Sequence, residues 1–145
     1  SATVSRPGLT LAELVVNCTF LALLIGVAAP RLNHLFDRIR IDQAAHEVAG
    51  ALTLARAAAI RRAEYARLVV DEPTGSLRVE SGSDTLLQRD LRGINHVTLR
   101  ASRDTITYAP NGLGHGIANS TIVVSIGQRA ETVTVSRLGR MRRSW

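Results

Sequence analysis

A chain of 145 residues, 46% of them apolar, has room for one modest domain plus an appendage once roughly twenty residues are set aside for a membrane segment. The formal charge of +6 is carried by arginine alone, a usage that genome composition or selection for phosphate binding would each produce. A single cysteine, Cys18, excludes an intramolecular disulfide and a thiolate metal cluster, and 3% aromatic content weighs against a single-strand stacking platform or a sugar-binding groove.

From Leu9 to Ala29 the chain is apolar apart from Thr10, Glu13, Asn17 and Thr19. About 20 residues of helix rise roughly 30 Å, the thickness of a bilayer core, so this segment is predicted to span a membrane. Three readings of it compete: a cleaved secretory signal, a plain anchor, and a signal whose apolar part is kept after cleavage. Val27-Ala28-Ala29 is the small-residue pattern that a secretory cut needs, but Pro30 follows at once, and Glu13 and Asn17 lie inside the apolar stretch. A plain anchor accounts for the length and leaves Glu13 without a purpose, although an ionisable group among apolar helices needs a partner or a role. The bland alternative is a carboxylate that stays protonated or snorkels to the interface.

Gly8-Leu9-Thr10-Leu11-Ala12-Glu13-Leu14, with Arg6 before it, resembles the processing site of the type IV pilin superfamily. Precursors of that family carry a short basic leader, a glycine before the cut and a Phe-Thr-Leu-x-Glu-Leu-like mature start; here Leu9 replaces the usual phenylalanine. The resemblance implies a leader over residues 1–8, cleavage after Gly8 by a prepilin peptidase, methylation of the new terminus at Leu9, and a membrane and assembly helix over 9–30. It also implies that Glu13 pairs with the α-amino group of a neighbouring subunit and sets axial register, since a charge buried among apolar helices is tolerable only beside an opposite one. The implied setting is the bacterial inner membrane, crossed once, with the C-terminal domain periplasmic until the subunit enters a filament. Arg31, Arg38 and Arg40 follow the span while only Arg6 precedes it, but the positive-inside rule is weak when a long domain is translocated.

Pro30 lacks an amide hydrogen and crowds the carbonyl of Gly26, so a bend or local melting is expected there and not a stop. Beyond it Leu32, Leu35, Phe36, Ile39, Ala45, Val48, Leu52, Ala55 and Ala59 recur at helical spacing, which predicts one apolar stripe on an amphipathic helix over residues 31–66. The β-rich part is predicted over 67–145, packed with 31–66 as one domain. Arg67–Asp71 and Leu77–Ser81 flank Glu72-Pro73-Thr74-Gly75-Ser76 and read as a hairpin. Further strands are expected at Thr85–Leu91, His96–Arg100, Thr105–Ala109, Ser120–Ile126 and Glu131–Arg137, with turns at Pro110-Asn111-Gly112 and Gly127-Gln128-Arg129. One long helix followed by consecutive strands gives an α+β domain with an antiparallel sheet.

Three segments in this half are similar to the GspH/FimT family of minor pilins and pseudopilins: Leu52 to Arg62, Ile106 to Gly112, and Thr132 to Arg142 with its Gly-Arg-x-Arg ending. The family implies a pilin-like fold and a structural subunit of a type II secretion pseudopilus or a type IV pilus, whose partners are the other pilins of the filament. Ala58 departs from it where relatives often carry glutamate.

No enzyme chemistry is legible. His34, His46, His96 and His115 lack metal-ligand spacing, Gly112-Leu-Gly-His-Gly116 has no following helix to present to phosphate, and no nucleophile elbow occurs, so neither cofactor nor metal is expected. Arg137, Arg140, Arg142 and Arg143 are the one cluster with a sharp reading. In an extended chain Arg140 and Arg142 share a side about 6 to 7 Å apart, a spacing that would neutralise successive phosphates without sequence preference. FimT-like minor pilins, by resemblance, hold DNA with such a tail during uptake, and Trp145 could add one stacking contact. The competing reading is solvated charge finishing an edge strand.

Overall fold

The computed structural model describes Gly8, residues 10–116 and residues 119–145. Helix α1 runs over Leu11–Arg62 and is followed by β1 (Ala66–Asp71), β2 (Ser76–Ser81), β3 (Asp84–Asp90), a short α2 (Leu91–Asn95), β4 (Thr98–Ala101), β5 (Thr105–Tyr108), β6 (Gly114–His115), β7 (Ser120–Ile126), β8 (Arg129–Val135) and β9 (Met141–Ser144). The helical backbone continues through Pro30, so the local melting expected there does not occur, and α1 ends at Arg62, with Ala63 turning into the left-handed region.

The chain divides into two compact units, residues 1–36 and 37–145. In the first, the apolar side chains of α1 from Leu11 to Val27 are exposed. The second holds the whole core: Ile41, Ala44, Ala45, Val48, Ala51, Leu52, Ala55, Ala58 and Ala59 of α1 pack against Leu68, Leu77, Val79, Tyr108, Leu99, Ile122, Val124 and Val133 of the strands. The buried helix face is mostly alanine.

The single apolar stripe expected on this helix is corrected to two. Ile41 is fully buried whereas Ile39 is 44% exposed. At about 100° per residue the two lie about 200° apart around the axis. Leu32, Leu35 and Phe36 share the heptad phase of Ile39, and each is exposed. The periodicity is continuous in spacing but changes face between Ile39 and Ile41.

The strands form two antiparallel sheets in place of one, ordered β3-β2-β1-β5-β6 and β4-β7-β8-β9. The β1–β2 hairpin stands where expected, closed by the Gly75 amide donating to Asp71 O at 2.8 Å, and at Gly75, with φ +70°, a Cβ would stand 2.6 Å from that of Arg92. Several boundaries differ from expectation by one or two residues, β8 for instance running Arg129–Val135 where Glu131–Arg137 was expected, and two of the differences have a visible cause. Leu91 opens α2 instead of ending β3, because the Asp90 carboxylate accepts the Gly93 amide at 2.8 Å and caps the helix. His96 then closes α2 with a φ of +56°, which delays β4 to Thr98.

Candidate functional site

Two places carry the residues singled out from sequence. At the start of α1 the Thr10 hydroxyl accepts the Glu13 amide at 3.2 Å and the Thr10 carbonyl accepts that of Leu14 at 3.1 Å. Thr10-Leu11-Ala12-Glu13 has the spacing of a helix-capping box, a signal that the motif reading overlooked. Glu13 is exposed in the first turn, where the helix dipole favours negative charge, and its carboxylate has no partner among the described residues. Gly8 is exposed; Leu9 and Arg6 lie outside the described residues, as does the leader up to Pro7.

The arginine-rich end is the second strand of a hairpin. Its turn is closed by Gly139 N–H to Ser136 O and Ser136 N–H to Arg140 O, each 2.9 Å, while the Arg140 amide donates to Ser136 Oγ at 3.1 Å. Gly139 has φ +74°, and a Cβ there would stand 3.0 Å from the guanidinium carbon of Arg56. The left-handed backbone is what favours glycine there. Strand β9 then pairs with β8 over Thr132↔Ser144 to Val135↔Met141.

Alternation along β9 separates the four candidate arginines, which sequence spacing alone leaves equivalent. Arg142 lies on the outer face opposite Thr134 and is exposed, as are Arg137 and Arg140. None of these three makes an ion pair among the described residues. Arg137 lines a shallow polar notch with Arg103, His115, Asn119 and Ser120. Arg143 faces inward: its Nε donates to Glu131, its Nη2 to Asp42, and its Nη1 lies 2.8 Å from His46 Nδ1. Glu131 is buried, and its second carboxylate oxygen has no partner. The hydrogen bond to Glu131 raises the Arg143 pKa most, with burial opposing and Asp42 adding to the rise. Arg143 is thus committed to holding β9, β8 and α1 together. One register further along, Trp145 lies over Arg38, whose guanidinium carbon is 5.3 Å from the ring centroid.

A family model described as "Type II transport protein GspH" matches residues 44–139. The chain belongs to the GspH family. Its members are minor pilins and pseudopilins, structural subunits of type IV pili or type II secretion systems that associate with other pilins in a filament, and not enzymes. A pilin-like protein, PilA1 of Thermus thermophilus, is 29% identical over 156 residues, covering 95% of this chain and 98% of the relative. The minor pilin FimU of Pseudomonas aeruginosa aligns with a TM-score of 0.65 at 17% identity, over 76% of this chain and 92% of its own. The minor pseudopilin EpsH of Vibrio cholerae aligns at 0.57 and 14% identity, over 72% and 96%. These two structures share the fold: a long N-terminal helix packed on antiparallel sheet. The N-terminal apolar helix of this GspH-family chain fits a membrane anchor.

Proposed function

We propose that this chain is a minor subunit of a type II secretion pseudopilus or type IV pilus, held in the bacterial inner membrane by the first half of α1 with residues 37–145 periplasmic, and then extracted into a filament. A prepilin peptidase cuts after Gly8, Leu9 becomes the methylated terminus, and Glu13 pairs with the α-amino group of a neighbour. The observation that carries this reading is the exposure of Leu11, Leu14, Val15, Val16, Phe20 and Leu21 on a helix whose first core residue, among the described residues, is Ile41. Such a surface is stable only against lipid or other helices. The test is incorporation in cells. Glu13→Ala should leave the protein in the membrane and remove it from sheared filaments, whereas a variant that still assembles at parental level overturns the register role.

The exposure of Arg140 and Arg142, which make no ion pair among the described residues, favours a second reading in which the same scaffold contacts DNA for uptake. A mobility-shift titration of residues 37–145 against duplex DNA should show a shift that weakens as salt rises and disappears in Arg140→Ala/Arg142→Ala. No shift at low salt sinks it.

A further inference from the structure

Three polar side chains lie within the apolar half of α1 beyond its capping residue, and their hydrogen bonds tell them apart. The Thr19 hydroxyl donates to the Val15 carbonyl at 2.8 Å and is satisfied by its own helix. Glu13 has its role in the reading above. Asn17 is exposed, and its carboxamide has no partner among the described residues. It lies two residues from the midpoint of Leu9–Ala29, about 3 Å along the axis, and its side chain is too short to snorkel to either interface. With no water at that depth an unpaired amide is costly, so its donors and acceptor must be met by another helix.

The residues in line with Asn17 point to that helix. Thr10, Glu13, Asn17, Phe20, Leu24 and Val27 alternate steps of three and four, the spacing of a two-helix seam, and at about 100° per residue they fall within about 100° of arc. Phe20, Leu24 and Val27 are all exposed. Asn17 takes an a position of that heptad, where a single asparagine fixes register and oligomeric state. All copies of the chain cross in the same direction, which puts Asn17 of two copies at one depth. The carboxamide is self-complementary, since its amino group donates to a second carboxamide oxygen while its own oxygen accepts. We propose that two copies of this chain pair in parallel in the membrane along this seam, their Asn17 carboxamides hydrogen-bonded to each other, before either is extracted. The pairing rests on the membrane reading above. In the same register the neighbour's residue 9 is one helical turn from Glu13, so the seam continues the contact proposed for that carboxylate.

The experiment uses the full chain in phosphatidylcholine vesicles. In the parent, Cys18, the only thiol, reports burial of the span through its reactivity with a membrane-impermeant maleimide. In a Cys18→Ser background, Leu24→Cys and Val27→Cys place a thiol on the seam, Ala22→Cys and Gly26→Cys place one on the opposite side of the helix, and copper phenanthroline links thiols that meet. The expected result is a shielded Cys18, dimers from the two seam positions and none from the other two. Adding Asn17→Val should weaken dimerisation, read from its loss on lipid dilution, by about 3- to 30-fold, the worth of one polar contact between membrane helices, and Asn17→Gln should keep most of it. A shielded Cys18 with cross-links at none or all of the four positions, or with dimers indifferent to Asn17→Val, overturns the pairing alone. A reactive Cys18 overturns the membrane reading and the pairing with it. In membranes of cells that make the filament, seam adducts to another pilin in place of the homodimer overturn the choice of a second copy.

Discussion

At the scale of single residues, Arg143 and Glu131 carry the sharpest energetic consequence. Glu131 is buried on the inner face of β8, where the Arg143 guanidinium donates to it. Arg143→Ala should therefore cost residues 37–145 about 3 kcal/mol, because it strands a buried carboxylate, whereas Arg143→Met combined with Glu131→Leu should fall within about 1 kcal/mol of the parent. Urea denaturation of the parent, Arg143→Met, Glu131→Leu and the double variant closes this cycle, and additive losses would show that the pair is not coupled. Tyr108 supplies the pH prediction. Burial raises its pKa above the ordinary 10.0, with Arg56 opposing. Above about pH 10 the unfolded chain loses the phenolic proton that the folded chain retains, so stability should be level below that pH and fall as pH rises through the folded value. Residues 37–145 contain neither lysine nor cysteine, so tyrosines alone titrate there; in Tyr65→Phe the near-ultraviolet phenolate absorbance should follow Tyr108 to above pH 10. An unshifted midpoint would contradict its burial.

Among the elements, α1 shows what periodicity can and cannot reveal. Spacing identified a helix and the buried Ala45, Val48, Leu52, Ala55 and Ala59, but it joined them to Leu32–Ile39, because two stripes on opposite faces both consist of three- and four-residue steps. Only the phase between Ile39 and Ile41 separates them. The β1–β2 hairpin, β5 and β7 were legible because each lies between strong turn residues, and β7 kept its expected bounds. The division into two sheets was not, since it depends on pairings such as β1 with β5 that bridge distant parts of the chain. For the candidate site, sequence spacing put four arginines side by side, but alternation along β9 turns Arg142 and Arg143 to opposite faces, and the commitment of Arg143 depends on Asp42, far away on α1. The alanine face makes a packing prediction: Ala55→Leu adds volume at a fully buried core position and should destabilise by about 1–3 kcal/mol, measured by thermal melting of residues 37–145. A Tm equal to that of the parent would mean that the face has room to spare.

At the scale of the molecule, every buried hydrophobic of the core among the described residues lies between Ile41 and Val135, so stability and exposed apolar surface belong to different units. A fragment of residues 37–145 should be soluble and unfold in one cooperative transition, with urea and thermal probes coinciding; a broad or absent transition would mean that the first unit contributes to folding. Its arginines then give it charge without the apolar helix, which makes it the proper reagent for the DNA titration. The run of β9 along α1 also bears on mechanical load. A load applied along α1 where it runs beside β9, between Arg38 and His46, acts along that strand, so the β8–β9 hydrogen bonds and the Arg143 bridges to Asp42 and Glu131 resist together in shear, not one after another by peeling. A subunit built this way can be drawn by its helix without first being unzipped, and weakening Arg143 should lower the force at which β9 detaches.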